Sequence, residues 1–265
     1  NTMNIVVCIK QVPDTNEVKI DPATNTLIRA GVPSIINPFD ENAIEEGLRL
    51  RDQFGGTVTV ITMGPPQAAE ALREAISLGA DEGVLVSDRA FAGADTLATS
   101  YALGKTIEKN FANADVILFG KQAIDGDTAQ VGPGVAEYLD IPQLIYVVGI
   151  EKIEEGKITV RRELEDGYEV VQSPLPVAIT VLKSINTLRF PSLKGKMRAK
   201  GATIRILSAV DLEADPVRIG LKGSPTWVST IFTPPPKEHR HTIVDDGSGS
   251  SAKEIVAKLK ALKVI

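Results

Sequence analysis

VILFGKQAIDGDTAQVGPGVAEYL, residues 116–139, carries the reading of the fold. Its opening, 116–120, is a continuous apolar run of strand length, and its close, 128–139, repeats apolar residues at helical spacing. Between them GKQAIDGDTAQVGP, 120–133, is rich in glycine, acids and short polar side chains. A buried strand passing through such a loop into a helix is the unit of parallel α/β sheets, and the loop falls where those sheets hold ligands.

The unit repeats on both sides. Apolar runs at 3–9, 58–63, 83–86 and 144–148 read as further buried parallel strands, and 40–54, 67–78 and 95–111 have helical length and amphipathic spacing. The fold class expected is therefore α/β, a doubly wound and mostly parallel sheet. In the first helix Asn37 suits the cap, Pro38 the first turn, and Asp40 and Glu41 the positive end of the dipole. Ala43, Ile44, Gly47, Leu48 and Phe54 make its inner face.

Residues 18–20 and 26–29, joined by a turn-rich 21–25, read as a hairpin on the sheet edge. After Gly149 the helical alternation stops, and 157–163, 168–172 and 177–181 read as a β-rich extension. From 216 to 251 the chain is rich in Pro, Gly, Ser and Thr, and an amphipathic helix closes it over 251–262. The expected division is one core domain, 3–215, and an extended arm, 216–265. Trp227, Val228, Ile231 and Phe232 on that arm either dock on another surface or pack on the chain's own core.

Across 265 residues, 43% are hydrophobic and 24% charged, ordinary values for a chain that buries a core. A net charge of −5 speaks against nucleic acid as partner. The single cysteine makes no internal disulfide, and with Met3 read as the natural start there is neither a signal-peptide pattern nor a membrane-spanning run. A reducing, cytoplasmic setting without membrane insertion is expected.

A helix opening near Thr128 would present free N–H groups and its dipole to a phosphate, with the Thr128 hydroxyl and the Gln130 amide as further donors. Asp125 and Asp127 flank Gly126 as turn residues, helix caps or metal ligands. An EF-hand is excluded because its twelfth position is Ala136, and no metal is expected. The dinucleotide fingerprint G-x-G-x-x-G does not follow the first strand. Other strand ends bring Cys8 and Lys10, Asn37-Pro38-Phe39-Asp40, Met63 and Gly64, and Gly93-Ala94-Asp95-Thr96 to the same carboxyl edge. Cys8 by itself reads as a small buried hydrophobe. Both histidines, His239 and His241, lie in the polar tail, so no catalytic constellation is expected, and a bound redox cofactor would carry any chemistry.

Lys183, Arg189, Lys194, Lys196, Arg198, Lys200 and Arg205 follow one another without an acid between them, around Leu188, Phe190, Pro191 and Leu193. This resembles an apolar anchor in a basic collar, steered toward an acidic partner. A solvated basic loop over a satellite apolar cluster is the alternative.

CIKQVPD at 8–14, NPFDENAIEEGLRL at 37–50, GKQAIDGDTAQVGP at 120–133 and VRRELEDGYEVVQSPLPVAIT at 160–180 together resemble the β subunit of electron-transfer flavoproteins, over nearly the whole chain. The resemblance implies an adenine-nucleotide-hydrolase-like sheet. It implies a nucleotide held by Cys8, by Asn37, Pro38, Phe39 and Asp40, by Met63, and by Gly120, Lys121, Gln122, Ala123, Ile124, Asp125, Gly126, Asp127, Thr128, Ala129, Gln130 and Val131, with Gly132 beside them. It further implies an α-subunit partner clasped by the arm. The loop at 186–200 would dock, by Leu193, on a flavin dehydrogenase such as an acyl-CoA or 2-hydroxy-acid enzyme.

Conventional members hold AMP in this site, whereas bifurcating members hold FAD that takes a hydride from NADH and splits the electron pair between ferredoxin or flavodoxin and the dehydrogenase. The loop at 125–133 resembles the bifurcating group, because conventional relatives carry a further acid where Gly126 stands. FAD is therefore expected before AMP. An ATP-binding hydrolase would want Ser-Gly-Gly after the first strand, where Lys10-Gln11 stands. A stress-type ATP-binding module would leave the basic loop and the arm unexplained.

Overall fold

Strand β1, Met3–Ile9, lies inside a nine-stranded sheet, and its side chains divide the core into two layers. The computed structural model describes residues 2–14, 19–20, 27–28, 33–229, 243 and 247–265, with 19–20 and 27–28 described as backbone alone. Met3, Ile5, Val7 and Ile9 pack on one face with α1 (Pro38–Phe54) and α2 (Ala69–Leu78). Val6 and Cys8 pack on the other face with α3 (Thr96–Asn110) and α4 (Val131–Leu139). Helices on both faces bury the central parallel strands from both sides, so those strands read as unbroken apolar runs and not as alternations.

The other strands of this sheet are β6 (Gly56–Met63), β7 (Glu82–Val86), β8 (Val116–Gly120), β9 (Gln143–Glu154), β10 (Lys157–Glu163), β11 (Tyr168–Pro174), β12 (Val177–Val181) and β13 (Arg205–Leu207). Their order is β11-β10-β9-β12-β8-β1-β6-β7-β13. Neighbours pair in parallel from β9 to β13, and β10 pairs antiparallel with both β9 and β11. The doubly wound, mostly parallel architecture read from the pattern is thus the one observed. The inner face assigned to α1 holds as well, with Ala43, Ile44, Gly47 and Leu48 buried and Phe54 packed against them.

Four expectations are corrected. Val177–Val181 does not belong to the β-rich extension but enters the parallel sheet between β8 and β9, where all five residues are buried. Among the described residues the hairpin strands, β3 (Lys19–Ile20) and β4 (Leu27–Ile28), form a two-stranded sheet of their own and are not part of the large sheet; the turn at 21–25 lies outside the described residues. A second ribbon, β2 (Gln11–Pro13) with β5 (Ser34–Ile36), carries the chain away from β1 and back to α1. The basic loop contains a helix, α5 (Leu193–Gly201), whose Ser192 cap accepts the Gly195 N–H at 2.9 Å; Ala199 is its one buried residue, so amphipathic spacing could not reveal it. The fourth sheet helix starts at Val131 and not near Thr128.

Within residues 216–265, expected as an arm, Trp227 is 74% exposed and Val228 is comparably open, so these two do not pack on the chain's own core, whereas Ile219 is buried in it. Ile231, Phe232, His239 and His241 lie outside the described residues. The terminal helix α6, Ser250–Ala261, has no buried residue. No helix among the described residues is long and apolar enough to cross a membrane.

Candidate functional site

The carboxyl ends of β1 and β8 are joined by the first turn of α1. Asp40 is buried there, and its carboxylate accepts the Lys10 N–H at 2.7 Å and the Gly120 N–H at 3.1 Å. Gly120 admits no larger residue, because a Cβ would stand 2.4 Å from Asp40 Oδ1 and 2.6 Å from the Phe39 carbonyl carbon. Burial pushes the Asp40 carboxyl up to about 7, against hydrogen bonds from Lys10, Asn37 and Gly120 that pull it down.

Asn37 occupies the cap position of α1 but makes no side-chain cap bond. Its Nδ2 donates to the Gln122 carbonyl at 2.8 Å and its Oδ1 accepts the Ile124 N–H at 3.0 Å. A fully buried amide therefore shapes the start of the loop that follows β8. Cys8 is likewise buried, and burial followed by the Asp40 charge pushes its thiol up, so it stays protonated core and not a reactive group.

In the loop, Ala123 O accepts the N–H groups of Gly126 and Asp127 at 3.3 and 2.8 Å, closing a turn. Asp125 pairs with Lys10 Nζ through both oxygens at 2.8 and 2.9 Å, and Asp127 accepts from Gln122 Nε2. Both acids are thus turn residues with cationic or amide partners. Among the described residues no cluster of His, Cys, Asp or Glu could hold a metal ion. The Lys10–Asp125 pair is half exposed at the lysine, so Lys10→Gln is expected to shift the unfolding free energy by about 0.5 kcal/mol at most, read by urea denaturation.

Asp127 and Ala129 have φ values of 55° and 54°, and Gln130 returns to φ −104° and ψ −23°. Such an alternation of hand turns successive N–H groups into one concavity that suits an anion. The N–H groups of Thr128, Ala129, Gln130, Val131 and Gly132 make no hydrogen bond among the described residues. Because α4 opens only at Val131, the Thr128 N–H belongs to this loop and not to the helical first turn. Thr96 Oγ1 donates to Gln130 Oε1 at 2.8 Å, which leaves the Gln130 Nε2 as a donor beside the concavity.

The remaining expected residues border the same edge. Met63 and Gly64 end β6, where Gly64 N–H donates to Val86 O at 3.1 Å, and with Lys10, Gln11 and Gln67 they line a cavity of about 210 Å³. A larger cavity of about 370 Å³ adjoins it across Gln11 and Ser34, between the β2–β5 ribbon, α2 and α5. Gly93 and Ala94 lead into α3, and Asp95 caps it by accepting the Leu97 and Ala98 N–H groups at 3.0 and 3.1 Å. Pro38 and Phe39 are half-buried, with Lys183 Nζ 5.0 Å from the Phe39 ring centroid.

Two neighbours escaped the sequence. Placing β12 beside β8 lets Lys121 N–H donate to Val181 O at 2.9 Å, and Lys121 Nζ stands 5.4 Å from the Tyr146 ring centroid. The root of the arm returns to Asp95, whose second oxygen accepts Thr226 N–H and Oγ1 at 3.1 and 2.8 Å, while Asp95 N–H donates to Ser224 Oγ at 2.8 Å. Only the separation in sequence hid these contacts; no local pattern announces them.

At the basic segment Phe190 and Leu193 are 94% and 79% exposed, and Met197, which sequence reasoning passed over, is also exposed. Lys194 and Lys196 are open to solvent. Arg189 and Arg198 are instead engaged by the chain itself: Arg189 pairs with Glu45 and Asp52, and Arg198 donates to the carbonyls of Ile76 and Ala80. The collar is thus poorer in free charge than its composition implies.

The fold and this edge define a doubly wound α/β protein with an anion-shaped loop at the carboxyl ends of its strands. The electron transfer flavoprotein domain family matches residues 24–212. "Electron transfer flavoprotein subunit beta" of Thermoanaerobacterium thermosaccharolyticum is 54% identical over 264 residues, 99% of this chain and 100% of that one. "Caffeyl-CoA reductase-Etf complex subunit CarD" of Acetobacterium woodii is 50% identical over 99% of this chain and 100% of its own length. "Protein FixA" of Azotobacter vinelandii is 49% identical over 97% of this chain and 94% of its own length. The chain belongs to the electron transfer flavoprotein family and aligns along its length with chains named as the β subunit.

Proposed function

We infer that this chain is the β half of a heterodimeric, cytoplasmic electron-transfer flavoprotein and that its carboxyl edge binds FAD. The observation that carries the reading is the loop at 127–132, with left-handed residues at Asp127 and Ala129 and five N–H groups that make no hydrogen bond among the described residues, a pattern suited to an anion. A diphosphate would use these donors, with Gln130 Nε2 beside them and Lys10 across the edge. When bound, FAD would accept a hydride from NADH and release its two electrons singly, one to ferredoxin or flavodoxin and one through the α-subunit flavin to a flavin dehydrogenase such as an acyl-CoA or 2-hydroxy-acid enzyme.

The chain's own task is binding and orientation. Asn37 and Asp40 hold the loop against the ends of β1 and β8, and no side chain has to move a proton. Exposed Trp227 and Val228, with a terminal helix that has no fully buried residue, support an arm that covers the α subunit. Phe190, Leu193 and Met197 among Lys194 and Lys196 support docking to the dehydrogenase.

Co-expression with the α subunit, followed by denaturation and chromatographic counting of released cofactors, tests the reading. The expected result is two FAD and no AMP per heterodimer. One FAD with one AMP would remove bifurcation and leave a conventional carrier, and one FAD alone would remove the nucleotide site from this chain.

A further inference from the structure

The docking segment begins at a clamp on α1. Glu45, whose side chain is 5% exposed, accepts Arg189 N–H at 3.1 Å and Arg189 Nε at 2.8 Å, and Arg189 Nη1 reaches Asp52 at 2.9 Å. One turn away Asn186 Nδ2 donates to Asn42 O at 3.0 Å and to Glu46 Oε2 at 2.8 Å, while Asn42 Nδ2 returns to Asn186 Oδ1 at 2.9 Å. Burial would raise the Glu45 carboxyl, but the bonds from Arg189 and Arg49 outweigh it and hold it ionised, below its ordinary range. At the far end Arg198 donates to Ile76 O and Ala80 O, and Arg73 donates to Ala199 O and Ala202 O at 3.1 and 2.8 Å. Between these ties stand the exposed Phe190, Leu193 and Met197.

We propose that Glu45 and Arg189 are positioning residues for partner docking: the ion pair orders the Phe190–Leu193 anchor before contact, and Arg189 offers no charge to the partner. The proposal rests on the docking role given above to residues 190–197. A guanidinium held by two carboxylates and a backbone bond to the same acid has a fixed direction, and a fixed anchor avoids the ordering cost that a loose loop meets on binding. Encounter charge is then left to Lys194 and Lys196, which remain open to solvent.

Arg189→Lys separates this from the collar reading, because lysine keeps the charge and loses the two-pronged fork. In the complete heterodimer, with a purified acyl-CoA dehydrogenase as probe, R189K is expected to raise the dehydrogenase concentration giving half-maximal electron transfer about tenfold, with the salt dependence unchanged. E45Q should do the same, and the double variant no more than either, since both remove one interaction. K194Q should instead flatten the salt dependence. Amide exchange over 189–199 should speed up in R189K and E45Q and not in K194Q.

An R189K heterodimer that docks and exchanges like the parent would overturn the clamp, since charge alone would then suffice. If the parent passes no electrons to the dehydrogenase, the docking role falls by itself; the exchange rates in R189K, whose side chain is only half-buried, still decide whether the clamp orders the segment.

Discussion

Gly120→Ala is expected to cost about 3 kcal/mol of unfolding free energy and to empty the carboxyl edge of nucleotide. The added methyl would lie 2.4 Å from Asp40 Oδ1, 2.6 Å from Phe39 C and 2.7 Å from Asp40 N. Two of these are backbone atoms of the first turn of α1, which a rotamer change cannot move aside. Relief requires α1 to back away from β8, and that breaks the 3.1 Å bond from Gly120 N–H to Asp40 and loosens the Asn37 hold on the Gln122 and Ile124 backbone. Gly126→Ala is the matched control: nothing stands within 4 Å of its Cβ position, so it should stay within about 0.5 kcal/mol. Urea midpoints measure both, the nucleotide content of the purified heterodimer measures Gly120→Ala, and equal midpoints of the two variants would refute the packing argument.

The second large effect is a pH dependence centred on Asp40. Its carboxyl is raised from 3.8 to about 7 by burial, so between roughly pH 4 and pH 7 the folded chain holds a proton that the unfolded chain has released. Stability from this group is complete below the unfolded value and is lost as pH rises through the folded one, with a slope approaching about 1.4 kcal/mol per pH unit. Asp40→Asn cannot titrate and should lack this slope. It should also be less stable at pH 5, by about 1–3 kcal/mol, because an amide nitrogen would face one of the two backbone N–H groups that the carboxyl oxygens now accept. The gap between the two proteins therefore narrows from pH 5 to pH 8. Glu45 and Asp52, which are held low and act with the opposite sign, are common to both proteins and cancel in the comparison. Urea denaturation at intervals across this range checks it, and parallel curves would show that Asp40 does not titrate there.

By itself the sequence determined the class of fold, most of its elements and the family. The runs at 3–9 and 116–120 are apolar without alternation because both of their faces are covered, and the amphipathic stretch of α1 follows from neighbours three and four residues apart. Signals of that kind are local, so they survive without tertiary information. The glycine- and acid-rich loop after β8 was legible as a candidate site for the same reason, since it sits between two such signals.

The tertiary structure alone decided which distant groups share that site and what each does there. Asn37 looked like a helix cap and instead holds a loop 85 residues away. Gly132 looked like room for a phosphate, yet its missing Cβ also lets α4 lie on Thr180 of β12, a strand that local pattern had assigned elsewhere. Arg189 looked like surface charge and is half-buried on Glu45, 144 residues before it in the chain. Each of these depends on strand order and helix packing, where the partner of a polar group is chosen by geometry across the sheet. A chain position fixes a residue's chemistry and local spacing, but only the closed fold fixes which buried donor or acceptor it must satisfy.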